Sequence, residues 1–530
     1  MNPASLELDD AVGELRSSYD EIPYYLHAHA SSHPDRLYAL ARLRGIPAAR
    51  PNRCRVLELA CGRGGGLVAL AQDSPDSQFL GIDLSPRHIE EARKLAEQTG
   101  TDNVEFRQGD LLELPDRLGE FDYILAQGVF TWVPVPVREK ILAICTASLS
   151  PHGLACIAYA SRPGYYVDLA VRDMVLFHVA HIEDRDERLE QAKQFIELMA
   201  NVLADSTHPH RHYLAYLHGS MKEYSANFYH EILNVETLPL YFYEFSKLAG
   251  AHGLKYVCDT APDAHQHRTL LERARKELGS VSDPLRREQY KDFLMNRRGR
   301  ESVLCLKTQK LRLPHDPASL YDMHIASAVK PKSKTPKLED DTREGFELAD
   351  GAITFSTNPA TKLALAELGR RWPCTISFDA LVEHVLSQLP QAGDADNRRW
   401  VLARDLLACQ ASGLLDLRAR ALNCVTEVSA KPLASVLARY YAEHGDRGGV
   451  VNQRRDTLAL DTFSREVLQL LDGTRTRDEL VTAMTKKVVD RKLHFQEGGE
   501  DVDPNVLPHY IAVALDKTLR KLARTAYLIG

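Results

Sequence analysis

Short apolar runs alternate with helical spacings over the first 160 positions of the chain. Arg55-Val-Leu-Glu-Leu-Ala60 is a buried-strand run that ends in Cys61-Gly-Arg-Gly-Gly-Gly66, and Leu67 to Gln72 has helical character. Gln78 to Leu84 forms a second strand, followed by a polar helix from Pro86 to Gln98. Val104 to Gln108 is a third strand, Phe121 to Ala126 a fourth and Leu154 to Tyr159 a fifth, with a helix from Val137 to Leu149 between the last two. Strands alternating with helices imply right-handed crossovers and a parallel sheet covered on both faces, an α/β fold. From Tyr165 to about Glu236 helical spacing dominates (Met174, Leu176, Phe177; then Leu189, Ala192, Phe195, Ile196, Met199), which reads as a helical insertion. Leu240 to Ala251 is a further amphipathic helix that His252-Gly253 ends. Leu254 to Cys258 and Ser302 to Leu306 are two more strands. They are expected to complete the first sheet, because the apolar edge left after Tyr159 must be paired or covered. The insertion then lies beside the carboxyl ends of the strands, where such sheets bind ligands.

The rest of the chain has a different pattern. Residues 308–343 are expected to be a linker, since Lys330 to Arg343 holds Pro, Lys, Ser, Asp and Glu with almost no apolar residue. Two similar segments follow. Ser377-Phe-Asp-Ala-Leu-Val382 and Thr476-Arg-Asp-Glu-Leu-Val481 share an S/T-x-D-x-L-V start. It is the signature of a helix N-cap with acids in the first turn. Each segment follows an apolar helix ending at a glycine (Gly369, Gly473) and precedes another helix and a short apolar run. An internal duplication of a small winged-helix-like unit is the natural reading, over 344–425 and 426–530.

Composition narrows the class. The chain has 530 residues, 44% hydrophobic and 26% charged, enough for several domains with real cores. Its net charge of -7, from 66 Lys+Arg against 73 Asp+Glu, disfavours sequence-independent nucleic-acid binding, which needs a basic face. The tail units are therefore expected to be protein-contact or dimerisation modules, and no nucleic-acid partner is expected. Met1 to Leu15 carries four acids and no base, unlike a signal peptide. Apolar runs such as Leu154 to Ala160 are too short to span a bilayer, so no membrane partner is expected. The nine cysteines form no CxxC pair and read as reduced core residues of a cytoplasmic protein.

The segment that carries chemistry is Glu58-Leu-Ala-Cys-Gly-Arg-Gly-Gly-Gly66, directly after a strand and before a helix. Glycines there let the backbone approach a ligand that a Cβ would exclude. The Walker pattern is absent, and the spacing from Gly62 to Val68 does not give the dinucleotide GxGxxG. The run fits E-x-x-C-G-x-G instead. A second acid, Asp83, closes strand two in Gly81-Ile-Asp83-Leu-Ser85, and a third, Asp110, closes strand three. Asp83 suits the vicinal hydroxyls of a ribose, and Asp110 suits an exocyclic adenine amine. Three acids and few basic residues near the glycines suit a ligand without phosphates and with a positive charge. S-adenosyl-L-methionine (SAM) matches that description.

With these residues the sequence resembles the class I SAM-dependent methyltransferases. More closely, it is similar to the bacterial family that carries a methyltransferase regulatory domain, including the rickettsial outer-membrane-protein lysine methyltransferases. The resemblance runs through Tyr19-Asp-Glu-Ile-Pro-Tyr24, Ser32-His-Pro-Asp-Arg-Leu37, Val56-Leu-Glu-Leu-Ala-Cys-Gly62, Gly81-Ile-Asp-Leu-Ser85 and Phe121-Asp-Tyr-Ile124. It continues through Trp132-Val-Pro134, Pro163-Gly164, Leu238-Pro-Leu-Tyr-Phe242 and Gln289-Tyr-Lys-Asp-Phe293. It implies a Rossmann-like seven-stranded sheet over residues 51–307 with the helical insertion at 165–236, an N-terminal lid over 1–50, and the winged-helix-like tail. The cofactor set it implies is Glu58, Ala60, Gly62, Gly64, Asp83, Leu84, Asp110, Leu111 and Gln127. The family reads H-G-V-Y-S-W-V-P after strand four, where this chain has Gln127-Gly-Val-Phe-Thr-Trp-Val-Pro134. It reads Y-N-T-Y-P-G after strand five, where this chain has Tyr159-Ala-Ser-Arg-Pro-Gly164. These replacements fall near the expected acceptor pocket.

Acceptor-side candidates follow. Asn/Asp-Pro-Pro-Tyr, which presents a planar amine nitrogen, is absent after strand four. Trp132, with Phe130, offers an aromatic face near a sulfonium, or else packs as a core aromatic. Tyr19, Tyr24 and Tyr25 lie on a segment able to fold over the cofactor; Tyr24 is the candidate to position or deprotonate an acceptor amine, core packing being the alternative. His33 orients a group or caps a turn. His208-Pro-His210-Arg-His212 alternates histidines around a turn, and no metal is expected there. Protein lysine methylation is the expected activity, with small-molecule methylation or SAM-dependent regulation without turnover as alternatives. A wide acidic mouth favours a protein substrate, and a closed apolar pocket favours a small molecule.

Overall fold

A computed structural model of the chain describes residues 3–24, 29–221, 228–234, 236–260, 273–274, 276–313, 315–349, 351, 353–390, 394–445, 449–490, 496–497, 500–501 and 506–530. They divide into two units. The first takes the described residues up to position 24 and those of 46–260 and 273–311; the second takes those of 29–45 and 312–530.

The first unit is built on a seven-stranded sheet. Strands β1 (Arg55–Leu59), β2 (Gln78–Asp83), β3 (Val104–Gln108), β4 (Phe121–Ala126) and β5 (Leu149–Ala160) run parallel, and β6 (Leu254–Asp259) and β7 (Gly299–Leu306) complete the order β3-β2-β1-β4-β5-β7-β6. β7 lies antiparallel between β5 and β6, so that Leu304 faces Ala155 on one side and Tyr256 on the other. The apolar edge of β5 is thereby paired. Because both faces of the sheet are covered, β1 shows no alternation: Val56, Leu57 and Leu59 are all fully buried.

Helices α1 (Pro3–Glu21) and α2 (Pro34–Leu43) precede the sheet. Helices α3 (Gly65–Asp73), α4 (Pro86–Gln98) and α5 (Val135–Ser148) connect its strands. Helix α4 begins where the sequence dictates: Ser85 accepts the His88 N–H and Pro86 opens the first turn. The expected insertion is present as α6 (Tyr166–Val179), α7 (Arg185–Val202), α8 (Arg211–Met221) and a π-helical turn at Tyr229–Leu233. It has its own core, with Val171, Val175, Ile196, Leu214, Leu217 and Ile232 buried together. Helices α9 (Phe242–Ala251) and α10 (Pro284–Met295) follow. Phe245 and Ala249 of α9 join Ile141 and Leu142 of α5 in the core of the sheet, against Leu57, Ile124, Ile157 and Leu304.

The N-terminal 50 residues do not form one lid. Helix α1 belongs to the first unit, where Asp20 accepts the Ser85 hydroxyl at 2.5 Å and, through its carbonyl, Arg87 at 2.7 Å. Helix α2 belongs to the second unit. There Ala39 and Leu43 share a core with Leu320, Met323 and Ile325, and Asp35 receives the Arg420 guanidinium at 3.0 Å.

Residues 308–343 are not a plain linker either. They hold β8 (His324–Ala326) and β9 (Lys330–Pro331). β9 pairs with β10 (Glu344–Glu347), which pairs with β11 (Ile353–Ser356). β8 is the centre of a sheet between β12 (Ile376–Ser377) and β13 (Asp416–Arg418), antiparallel to both. Short strands of two or three residues carry too little periodicity to be seen in sequence. The polar stretch after β9 is tied down by the buried Lys362, whose ammonium donates to the carbonyls of Lys337, Asp340 and Thr342 at 2.7, 2.5 and 2.8 Å.

The two tail segments carry comparable elements. In the first copy, α11 (Pro359–Arg371), α12 (Phe378–Ser387) and α13 (Ala395–Ala411) surround the β12-β8-β13 sheet. In the second, α14 (Val436–His444) is followed by α15 (Thr462–Gln469), α16 (Arg477–Val489) and α17 (Leu507–Arg524). Antiparallel bridges Leu433–Asp472 and Ala434–Leu528 repeat the pairing of β8 with its two neighbours. Ser377 caps α12 through the Ala380 N–H, and Thr476 caps α16 in a reciprocal box with Glu479. The shared S/T-x-D-x-L-V start is therefore the same cap used twice.

The nine cysteines form no disulfide, and five of them are buried. Cys374 and Cys424 are only half-buried, not core residues, and their sulfurs lie 2.6 Å apart. Among the described residues no helix is long and apolar enough to cross a membrane.

Candidate active site

Strand order reverses between β1 and β4, and the crevice outside their carboxyl ends is where open α/β sheets bind ligands. The glycine run turns there. Ala60, Gly62 and Gly64 all adopt positive φ (58°, 53° and 74°). For Ala60 this conformation costs about 1–2 kcal/mol, a strain that such loops hold in place.

The two glycines serve different purposes. A Cβ on Gly62 meets nothing within 4 Å, so this position faces open space. A Cβ on Gly64 falls 2.7 Å from Ala92 Cβ and 2.7 Å from the Phe106 ring. Gly64 therefore permits α3 and α4 to pack against β3, whereas the sequence placed both glycines against the ligand. Gly81 likewise serves packing, since its Cβ would lie 2.8 Å from Cys61 Sγ and from Phe106.

Asp83 ends β2 and is buried. Oδ2 accepts the Gly62 N–H at 2.8 Å; Oδ1 accepts the Ser85 N–H at 3.0 Å and lies 3.2 Å from His88 Nδ1. A carboxylate has about four acceptor positions, so three are occupied and one on Oδ2 is open. His88 was not legible in sequence, because its partner lies five residues back across a turn. Leu84 is half-buried beside Asp83, and its carbonyl accepts from Gln108 at 3.2 Å. Asp110 lies at the end of β3, half-buried, and its Oδ1 accepts the Leu112 N–H at 2.9 Å; Leu111 beside it is buried.

Glu58 on β1 is buried, and its Oε2 has no hydrogen-bond partner. Burial, with the nearby charge of Asp83, pushes its carboxyl up to about 8. A desolvated acid without a donor is costly unless a ligand supplies a donor or a positive charge. Gln127 at the end of β4 is similar: its amide nitrogen donates to the Cys156 carbonyl at 3.4 Å, while its Oε1 is buried without a partner. These orphaned acceptors and the open face of Gly62 fit a cationic nucleoside ligand.

Of the residues expected on the acceptor side, Trp132 is half-buried and meets Tyr165 edge-on at 6.3 Å. Phe130 is fully buried against Tyr159 and Phe245 and belongs to the core. Thr131 Oγ1 accepts the Ala160 N–H at 2.7 Å, joining the two segments that depart from the family pattern. Tyr24 donates to Glu231 at 3.5 Å, and its carbonyl accepts from Arg63 of the glycine run at 3.5 Å. Tyr19 stacks on His230 at 4.3 Å, and its ring lies 5.8 Å from that of His88. His230 is buried and donates Nε2–H to the Ile22 carbonyl at 2.6 Å; burial pushes it down to about 4, so it is neutral. Glu231, Tyr165, His230 and Asp168 are the residues of this side that sequence reasoning missed. They come from the insertion, which has no motif spacing.

Tyr25 lies outside the described residues. His33 belongs to the second unit, where it is buried and its Nδ1 accepts the Asp35 N–H at 3.0 Å as the N-cap of α2. His208 Nδ1 accepts the His210 N–H at 3.2 Å. Among the described residues no group of three or more His, Cys, Asp or Glu converges on a metal position.

Comparison with known proteins bears on this arrangement. A family model described as a methyltransferase domain matches residues 56–153, one described as a predicted methyltransferase regulatory domain matches 225–306, and one described as a PKMT C-terminal winged helix domain matches 430–527. Protein RP789 of Rickettsia prowazekii is 27% identical over 92% of this chain and 88% of its own length. Protein RP028 of the same organism is 31% identical over 44% of this chain and 93% of its own length. The structure of PKMT2 from Rickettsia typhi in complex with AdoHcy superposes with a TM-score of 0.82 at 25% identity, covering 96% of this chain and all of that one. The chain belongs to the family of these rickettsial proteins, class I SAM-dependent methyltransferases with a regulatory domain and a winged-helix tail.

Proposed function

We propose that this methyltransferase transfers the methyl group of SAM to the side-chain amine of a protein lysine. The observation that carries the reading is the polar, aromatic cluster beside the glycine run: Tyr19, Tyr24 and Tyr165 about the carboxyl of Glu231, with Trp132 edge-on to Tyr165. Phenols and a carboxylate suit a cationic acceptor, whereas an apolar pocket suits a small neutral one. The likeness to PKMT2 along the whole chain supports the same reading.

On this reading the cofactor is held by the glycine run and the strand-end acids. Gly62 lets the backbone approach, Asp83 offers the open position on Oδ2 to a ribose hydroxyl, and Glu58 faces the positive charge. Asp110 with Leu111 borders the base, Leu84 and Ala60 flank the ribose side, and Gln127 offers its unpaired Oε1. Bound SAM supplies an activated methyl group on a sulfonium, so the chain needs no covalent intermediate of its own. The protein's share is orientation and exclusion of water. Trp132 and Tyr165, edge to face, offer the acceptor an aromatic wall, and Tyr24 offers its hydroxyl.

The test is incubation of the full chain with methyl-labelled SAM and a bacterial lysate, then acid hydrolysis. Label in N-methyl-lysine of protein bands supports the reading. Label confined to an organic extract overturns it in favour of a small-molecule acceptor.

A further inference from the structure

Two carboxylates, those of Asp168 and Glu231, stand together beside the proposed methyl-transfer site. Asp168 is taken by Arg298, which meets both of its oxygens and whose guanidinium lies 4.8 Å over the Tyr213 ring. Glu231 has no ion pair among the described residues, only the Tyr24 hydroxyl at 3.5 Å. Its side chain is exposed, yet the surrounding protein desolvates the carboxyl and, with the charge of Asp168, pushes it up from the ordinary value. The groups that act on it come from several elements: Tyr19 from α1, Tyr24 from the segment after it, Tyr165 just before α6, Asp168 from α6 and Arg298 from the approach to β7. Arg298 is the one cation among them, and Asp168 already neutralises it.

The turn that carries Glu231 is held independently. It is π-helical, a rare geometry that concentrates at functional sites. His230 locks it through the Ile22 carbonyl and through its stack on Tyr19. Tyr19 is also the link to the cofactor side, since the carboxylates of Asp83 and Glu231 both act on its phenol.

We propose that Glu231 binds the ammonium group of the methyl acceptor beside the Tyr24 hydroxyl and takes the proton that the nitrogen must lose. The inference rests on the reading of an amine acceptor. One proton passes from the ammonium to Glu231, leaving the lone pair on nitrogen. That pair forms the new nitrogen–carbon bond as the bond from the methyl carbon to the sulfonium breaks, its electrons staying on sulfur. The proton then leaves Glu231 for water, which reaches the exposed carboxyl. A carboxyl held above its ordinary value takes a proton from an amine more readily than an ordinary one does.

The experiment uses the full chain saturated with S-adenosylhomocysteine, titrated with n-butylamine in a calorimeter. Wild type should bind, and E231Q should bind at least about tenfold more weakly with its affinity for the homocysteine compound unchanged. Wild-type affinity should fall as pH is lowered through the titration of Glu231, and E231Q should lack that limb. Butylamine affinity equal in the two proteins, or no binding by wild type, overturns the inference. Where E231Q loses the homocysteine compound too, E231M is read in the same way. The lysine reading fails separately: label absent from methyl-lysine while butylamine binding depends on Glu231 leaves a small amine as the acceptor, and label present with E231Q unaffected leaves lysine methylation without this role for Glu231.

Discussion

The orphaned acid on β1 makes cofactor binding a proton-linked event. Glu58 is buried with Oε2 unpaired, and burial first, then Asp83, pushes its carboxyl up to about 8. The folded, ligand-free chain therefore holds a proton there that the unfolded chain releases at ordinary carboxylate pH. The sign follows: Glu58 contributes stability below its unfolded value, and that contribution is lost as pH rises through about 8. A ligand bringing positive charge or a donor favours the ionised form, so SAM binding expels the proton. If the bound carboxyl returns to the ordinary value of about 4.3, SAM affinity rises about fiftyfold from roughly pH 6 to roughly pH 8. Glu58→Gln cannot ionise. The assay is calorimetric titration with SAM across that range in two buffers of different ionisation enthalpy, which counts protons released. Wild type should release close to one proton at neutral pH, and E58Q should release none beyond that of SAM's own amine. Equal pH slopes and equal proton counts in the two proteins would refute the assignment of Glu58 to the cofactor.

Other consequences are equally specific. Gly62→Ala should cost about 1–2 kcal/mol in urea unfolding, from its positive φ alone, and Gly62→Val should lower SAM affinity more than tenfold with the fold kept. Gly64→Ala adds a clash with Ala92 and Phe106 and should cost about 2–5 kcal/mol; equal stability of G62A and G64A would contradict their separate roles. Lys362→Met leaves three carbonyls without their donor and should lower unfolding free energy by about 2–4 kcal/mol, with an unchanged midpoint refuting the anchoring role. Diamide should oxidise Cys374 and Cys424 to one disulfide, removing two of the nine titratable thiols; the loss should vanish in C374S, and nine thiols remaining in wild type would contradict the pairing.

Much of this was legible in the residues. The parallel sheet, its late completion by the strands at 254 and 302, and the helical insertion follow from strand and helix periods long enough to recognise. The glycine run and the three strand-end acids fall at one end of one sheet because strand ends are fixed by the periods themselves. What sequence missed has physical causes. Gly64 and Gly62 look alike in one dimension, and only the approach of Phe106 separates them. The strands at 324 and 330 are too short to show a period. Helix α2 separates from α1 because its apolar face fits the core around Met323. Glu231 is invisible because its meaning comes from phenols of distant segments and not from its neighbours in the chain.

The central claim is that this methyltransferase modifies lysine in proteins. Its most direct measurement is mass spectrometry of lysate proteins after incubation with the chain and trideuteromethyl SAM. The account predicts trideuteromethyl groups on lysine side chains, lost when Gly62 is replaced by Val and when Glu231 is replaced by Gln. Label found on no protein lysine, with the chain shown to consume SAM, would contradict it.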